Sequence, residues 1–182
     1  VPSTTDAPIG RRPTRRLLRD AIPWLLALVF GLLALRAAWV CDDAYITLRT
    51  VDNFVHGLGL TWNPPDRVQA FTHPLWLFLI APFYAMTGEA FLTTIFLGLA
   101  LSLAAFSLLA AAAARFGRTV AAAVVPLLAL IVSRAFIDYS TAGMENPLAH
   151  LLLALFLVVY FSDEAAHRLA LLAFIASLAA LT

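Results

Sequence analysis

Residues 91–114 read FLTTIFLGLALSLAAFSLLAAAAA, a run without a charged side chain. At about 1.5 Å per residue, a helix of this length exceeds the roughly 30 Å hydrocarbon core of a bilayer. The whole chain shares this bias, because 62% of its 182 residues are hydrophobic, 13% are charged and the mean hydropathy is +0.89. A soluble domain of this size cannot bury so much apolar surface, so the sequence predicts an all-α, polytopic integral membrane protein whose partner is the lipid bilayer.

Charge and cysteine content exclude other classes. The formal net charge is +1, which lacks the basic footprint of a nucleic-acid binder, and no nucleic-acid partner is expected. Cys41 is the single cysteine and cannot form a disulfide within the chain. The chain starts at Val1 and stops inside an apolar run, so we expect it to be the N-terminal membrane portion of a longer protein whose C-terminal part is absent.

The first apolar segment, 21–41, follows an arginine-rich stretch between Arg11 and Arg19. Arginines before a span favour a cytoplasmic N-terminus, so we expect residues 1–20 to be a cytoplasmic tail and 21–182 to be a transmembrane region. A cleaved signal peptide is the alternative. The further apolar segments after 21–41 favour a retained helix.

Residues 42–73 are more polar and predict an exoplasmic loop. The loop begins with an amphipathic helix, since Ala44, Leu48, Val51 and Val55 recur at helical spacing and Gly57 supplies a natural stop. Glycine and proline pairs further along the loop indicate turns.

The next apolar segment, 74–87, is short for a membrane span. If it crossed the membrane, Arg115 would lie outside, whereas a juxtamembrane helix at 74–87 leaves that arginine in the cytoplasm, as positive-inside statistics favour. We therefore predict a juxtamembrane helix. The later predicted spans are 91–114, 119–137, 147–161 and 169 onward. This topology places Asp42, Asp43 and Glu145 on the exoplasmic side.

Three acids are the candidate catalytic residues. Asp42 and Asp43 stand where the first predicted span leaves the membrane. Glu145 stands at the start of the predicted helix that runs from Pro147 to Phe161. Each could simply cap a helix N-terminus. Two adjacent carboxylates exceed what a cap requires, and one could act as a general base, or the pair could hold a divalent cation through oxygen ligands. No other metal or cofactor is indicated.

Arginines and hydroxyl-binding groups are the candidate substrate-binding residues. Four arginines, Arg36, Arg49, Arg67 and Arg134, are available on the exoplasmic side, and the guanidinium fork suits a phosphate. We favour Arg49 and Arg67, because their loop borders the acid pair. Trp62 could stack on a sugar or belong to an interfacial aromatic belt. Thr72 and His73 could bind substrate hydroxyls, and a lone histidine is poor evidence for a metal.

Two segments carry a family resemblance. DDAYITLRTVDNFVHGLGLTWNPPDRVQAFTHPLW, residues 42–76, resembles the first exoplasmic loop of GT-C glycosyltransferases, and GMENPL, residues 143–148, resembles a second stretch of bacterial members. The resemblance is greatest to the actinobacterial terminal arabinofuranosyltransferases of arabinan synthesis. It implies a GT-C-like transmembrane fold with juxtamembrane helices, a catalytic carboxylate at Asp42 or Asp43, and an acid near the same pocket at Glu145.

The resemblance also implies the reaction. A polyprenyl-phosphate sugar, decaprenyl-phosphoryl-arabinofuranose, would be the donor, and a cell-wall glycan such as arabinogalactan or lipoarabinomannan would be the acceptor. The active site would face the exoplasm of a multi-pass plasma-membrane protein. One base serves an inverting transfer, whereas retention would require another role for the acid. The alternatives are a transporter or flippase of lipid-linked sugars, and a noncatalytic membrane scaffold.

Overall fold

The computed structural model describes residues 13–66, 68–117, 119–162 and 167–182, with side chains from residue 21 onward. Over these residues the chain is all helical, which confirms the predicted all-α class. The helices are α1 (Pro13–Arg36), α2 (Ala44–Val55), α3 (Pro74–Thr87), α4 (Ala90–Phe116), α5 (Val120–Val132), α6 (Arg134–Asp138), α7 (Asn146–Tyr160) and α8 (Arg168–Ala179). Most of the predicted tail, 1–12, lies outside the described residues, while the backbone of 13–20 already belongs to α1.

Helix α4 is the centre of the arrangement, and a separate buried cluster packs on each side of it. One cluster joins α1, α4, α5 and α6, and its two largest members, Phe30 and Phe106, stack with ring centroids 4.7 Å apart. The other joins α2, α3, α7 and α8 around the fully buried Trp76. The second cluster fixes the short polar-loop helix α2 against the apolar helices.

Within the described residues, α4 is the one helix that is both long and apolar enough to cross a membrane by length and composition. The apolar part of α1 and helices α3, α5, α7 and α8 are each shorter than 18 residues. The all-helical class therefore stands, and the crossing of the membrane by several helices stays a prediction.

The ends of α2 and α3 follow from their sequence. α2 ends at Val55 and a left-handed turn follows at Gly57, with φ 77°, where the glycine predicts a stop. α3 begins with Pro74, whose fixed φ suits the first helical turn, and ends at Gly88 with φ 65°. The predicted juxtamembrane segment 74–87 is thus a helix with the expected bounds.

One predicted helix is divided. The segment 119–137 is not continuous, because α5 ends at Val132 and Ser133 adopts an extended conformation with φ −70° and ψ 104°. The Ser133 hydroxyl accepts a hydrogen bond from the backbone N–H of Phe136 and so caps the short helix α6. The Ser133 cap competes with helix continuation at the point where the apolar run 120–132 ends and Arg134 follows.

Candidate active site

The segment of Asp42 and Asp43 lies against the segment that leads to Glu145. The backbone N–H of Cys41 donates to the carbonyl oxygen of Ala142 over 2.9 Å. On the other side of the acid pair, Ala44 is so close to Gly143 that a Cβ on the glycine would lie 2.7 Å from the alanine Cβ. The C-terminal end of α1 and the N-terminal ends of α2 and α7 therefore meet, and the three candidate acids share one end of the helical bundle.

Gly143 makes this approach possible. Its φ of +85° belongs to the left-handed region, and Val40, Ala44 and Thr94 occupy the space that a side chain would need. Its carbonyl oxygen accepts a hydrogen bond from the buried indole Nε1 of Trp76 over 3.0 Å. The loop before α7 is therefore held by α2, α3 and α4 together.

The capping interpretation does not describe the acid pair. Asp43 is the N-cap residue of α2, yet its side chain makes no capping hydrogen bond, and Asp42 Oδ1 instead accepts the backbone N–H of Asp43 over 3.1 Å. Both side chains are exposed at the mouth of the bundle end. Their roles as base or cation ligand stay predictions.

Glu145 likewise makes no capping hydrogen bond at the start of α7. Its Oε2 lies 3.5 Å from Nδ1 of His73, the residue that precedes α3. The opposite ring nitrogen, Nε2, is 2.7 Å from the hydroxyl oxygen of the buried Thr47 on α2, and the Thr72 hydroxyl oxygen is 3.3 Å from Nδ1. The structure thus brings the predicted residues Thr72, His73 and Glu145 together and adds Thr47, a partner that sequence reasoning missed.

Arg49 and Trp62 form a second group. Arg49 donates through Nε to the Trp62 carbonyl oxygen over 2.9 Å and through Nη2 to Asn63 Oδ1 over 2.7 Å, and its guanidinium lies 4.7 Å from the centroid of the Trp62 ring. Asn53 donates to the carbonyl oxygens of Thr61 and Trp62. Arg49 therefore holds the loop after α2, while its other N–H groups stay available for a phosphate.

The other candidate arginines differ in their settings. Arg67 lies outside the described residues. Arg134 is exposed and ion-paired with Asp138, with Nε and Oδ2 3.2 Å apart. Arg36 is exposed at the end of α1. Of the two favoured phosphate ligands, Arg49 alone can be placed in the structure.

A further polar cluster joins the C-terminal ends of α2 and α3. The Tyr84 hydroxyl donates to Asp52 Oδ1 over 2.5 Å, and His56 Nδ1 lies 3.0 Å from the same oxygen. The hydrogen bond to Asp52 raises the pKa of Tyr84, with smaller contributions from burial and from the charges of Asp52 and Glu89. Sequence reasoning missed this cluster, although Asp52 and His56 are four residues apart on one helix.

The described residues hold an apolar cavity at the junction of α3 and α4 and no cluster of candidate metal ligands. Over the described residues, no group of three or more His, Cys, Asp or Glu side chains could hold a metal ion. A cavity of about 530 Å³ between α3 and α4 is apolar apart from Thr87, Thr93 and Glu89. The Glu89 carboxylate caps α4 by accepting the N–H groups of Phe91 and Leu92.

Comparison with known proteins gives partial similarity. No family model and no solved structure matches the chain. The terminal β-(1→2)-arabinofuranosyltransferase of Mycobacterium tuberculosis is 38% identical over 55 residues, which are 30% of this chain and 9% of that protein. The Corynebacterium glutamicum protein of the same name is 41% identical over 61 residues, 31% of this chain and 9% of that protein. The matched region therefore spans less than a tenth of the length of each of these two relatives.

Proposed function

We propose that this protein transfers arabinofuranose from a polyprenyl-phosphate donor to a cell-wall glycan at the exoplasmic face of the plasma membrane. The observation that carries the proposal is the contact between the Asp42–Asp43 segment and the Glu145 segment, in a chain that is similar over part of its length to two arabinofuranosyltransferases. In this proposal α1, α4, α5, α7 and α8 lie in the bilayer, and α2 and α3 lie along its outer surface.

Exposed apolar surface supports the membrane part of the proposal. On α1, Trp24, Leu25, Leu28 and Leu32 are each between 53% and 59% exposed, and the first, third and fourth of them recur every four residues on one face. A contiguous apolar face of this kind suits lipid contact. Helices shorter than the hydrocarbon thickness are accommodated by local thinning of the bilayer at modest energetic cost.

The proposed chemistry uses one carboxylate of the acid pair. The acceptor hydroxyl oxygen forms a bond to the anomeric carbon of the sugar, and the bond from that carbon to the phosphate oxygen breaks with its electron pair going to the phosphate. Asp42 or Asp43 takes the hydroxyl proton. Arg49, which keeps N–H groups beyond those that hold the loop, would bind the departing phosphate, and Trp62 would contact the sugar.

The positions of the acids favour transfer over transport. A transporter that couples substrate movement to ions places its charged residues near the middle of the bilayer. Asp42 and Asp43 instead precede α2 and are exposed, and Glu145 precedes α7. Acids at helix ends on one side of a bundle can meet a lipid headgroup and a soluble acceptor together.

The test replaces Asp42 and Asp43 by Asn one at a time in the full-length protein in membranes. Transfer of labelled arabinofuranose from a synthetic polyprenyl-phosphate donor to an arabinan oligosaccharide is measured, together with donor binding. Removal of a general base should lower transfer by about 10²–10⁴-fold and leave donor binding intact. The matched control is Asp52→Asn, since Asp52 lies near the C-terminal end of α2, about two and a half helical turns beyond the acid pair, and is hydrogen-bonded to Tyr84.

Three outcomes separate the possibilities. Full transfer by both variants would remove the acid pair from the chemistry. Movement of the lipid-linked sugar across the membrane without transfer would assign the protein as a flippase. A chelator should leave the rate unchanged if the pair supplies a base, whereas loss that Mg²⁺ or Mn²⁺ restores would assign Asp42 and Asp43 as cation ligands.

A further inference from the structure

The Oε2 atom of Glu145 is buried and makes no standard hydrogen bond. About 26% of the Glu145 side chain is exposed, so this exposure belongs to atoms other than Oε2. A buried carboxylate oxygen without a donor is costly, and the nearest donor group is His73 Nδ1 at 3.5 Å. The stabilisation of the buried Glu145 oxygen therefore depends on the position of the His73 ring.

The surroundings of His73 determine which ring nitrogen carries the proton. An ionised carboxylate can only accept hydrogen bonds, so the Nδ1 that faces Glu145 must be the donor. The Thr72 hydroxyl oxygen, 3.3 Å from the same atom, shares that hydrogen. In a neutral imidazole Nε2 then accepts, and the Thr47 hydroxyl, 2.7 Å away, donates to it. Donor groups are thus aligned from Thr47 through His73 toward Glu145, the last step being an approach of 3.5 Å.

We propose that Thr47 and His73 are positioning residues that hold Oε2 of Glu145 through an Nδ1-protonated imidazole, so that the other carboxylate oxygen, Oε1, accepts a hydrogen bond from a hydroxyl of the donor sugar. The three residues come from α2, from the turn before α3 and from the turn before α7, so the aligned donor groups relate the carboxylate to three elements at once. The sugar contact rests on the proposed transfer reaction, whereas the proton position does not.

Matched substitutions separate the two ends of the imidazole. In His73→Asn the amide nitrogen sits on Cγ, as Nδ1 does, so a donor toward Glu145 can be kept, whereas His73→Gln places its amide nearer the Nε2 position. Thr47→Ser keeps the hydroxyl, and Thr47→Val removes it at nearly the same volume. His73→Gln and Thr47→Val should raise the KM for the donor about tenfold, and their conservative counterparts should stay close to wild type.

Measurements of stability and of kinetics distinguish a positioning role of Thr47 and His73 from a purely structural role. Thermal stability of each variant is measured alongside KM and kcat, and Thr47→Val is repeated in the Glu145→Gln background, where it should have no further effect on KM. If His73→Gln and Thr47→Val lower stability but leave the KM unchanged, the contact is structural and the positioning role is wrong. A KM effect of Thr47→Val that persists with Gln at 145 would overturn it equally.

The position of the His73 proton can be measured without an assay of sugar transfer, so this test is independent of the proposed function. ¹⁵N NMR of the histidine-labelled full-length protein, with His73→Asn used to assign the His73 signals, reports which nitrogen is protonated. The expected result is a proton on Nδ1. A ring that carries its proton on Nε2 alone would overturn the assignment whether or not the protein transfers a sugar.

Discussion

The indole Nε1 of Trp76 donates a hydrogen bond to the carbonyl oxygen of Gly143 over 3.0 Å, across 67 residues of sequence. Trp76 is fully buried in the first turn of α3, and Gly143 is buried in the loop that precedes α7. His73 stands one helical turn before the tryptophan, and Glu145 stands two residues after the glycine. The bond therefore fixes the backbone on both sides of the contact between His73 and Glu145.

Trp76→Phe tests this link. Phenylalanine keeps an aromatic ring but leaves the Gly143 carbonyl oxygen buried without a donor, which costs about 1–3 kcal/mol. For a chain of this size each kcal/mol lowers the thermal midpoint by about 2–4 °C. The midpoint is measured in detergent, and Trp24→Phe, at a tryptophan that is 53% exposed on α1, is the control. Equal midpoints for the two variants would contradict the structural role of the bond.

Gly143→Ala should destabilise the protein by more than the conformational cost of a left-handed alanine. That cost alone is about 1–2 kcal/mol, and a Cβ here would also lie 2.7 Å from the Ala44 Cβ and 3.0 Å from the Val40 Cγ1. Gly57→Ala is a matched control, because Gly57 has φ +77° but no atom within 4 Å of the added Cβ. The difference in thermal midpoint between the variants measures the packing part, and no difference would show that the loop relaxes.

Local pattern predicts much of the helical architecture. The bounds of α3 follow from Pro74 and from the turn at Gly88, and the buried face of α2 follows from the spacing of Ala44, Leu48 and Val51. The break at Ser133 was missed because the segment 119–137 is apolar on both sides of the Ser133–Arg134 pair. The Ser133 hydroxyl, three residues before the Phe136 N–H that it caps, could have indicated the break. A hydropathy pattern does not detect such a cap.

The site depends on contacts between distant segments, which a single sequence does not encode locally. The shared position of Asp42, Asp43 and Glu145 was predicted from topology, and their segments do meet in the structure. The partner of His73 was not predicted, because Thr47 is 26 residues away on another helix and is otherwise an ordinary buried threonine. The catalytic roles of the three acids stay predictions.

Arg49→Ala should loosen the loop at residues 57–66. The variant loses the hydrogen bonds to the Trp62 carbonyl oxygen and to Asn63, as well as the contact with the Trp62 ring. At about 1.4 kcal/mol per factor of ten, loss of these contacts should speed amide hydrogen exchange in the loop by about tenfold or more. Exchange is measured by mass spectrometry with Arg134→Ala, at an arginine with a 92% exposed side chain, as the control. Unchanged exchange would leave Arg49 without the anchoring role.

Tyr84 should make the contact between α2 and α3 sensitive to alkaline pH. Its pKa is raised in the folded protein, first by the hydrogen bond to Asp52, so the folded state binds the phenol proton more tightly than the unfolded state. The resulting stabilisation is complete below the ordinary tyrosine pKa of about 10 and is lost as the pH rises through the higher pKa of the folded protein. Stability in that window should therefore fall more in wild type than in Tyr84→Phe.

The phenolate absorbance of wild type minus that of Tyr84→Phe isolates this one group from the other tyrosines. Its midpoint should lie above about pH 10. In Asp52→Asn the midpoint should move back down, because the negative charge that opposes ionisation is gone and the remaining amide is a weaker acceptor. A Tyr84 midpoint at the ordinary tyrosine value of about pH 10 would show that the bond to Asp52 does not form in solution.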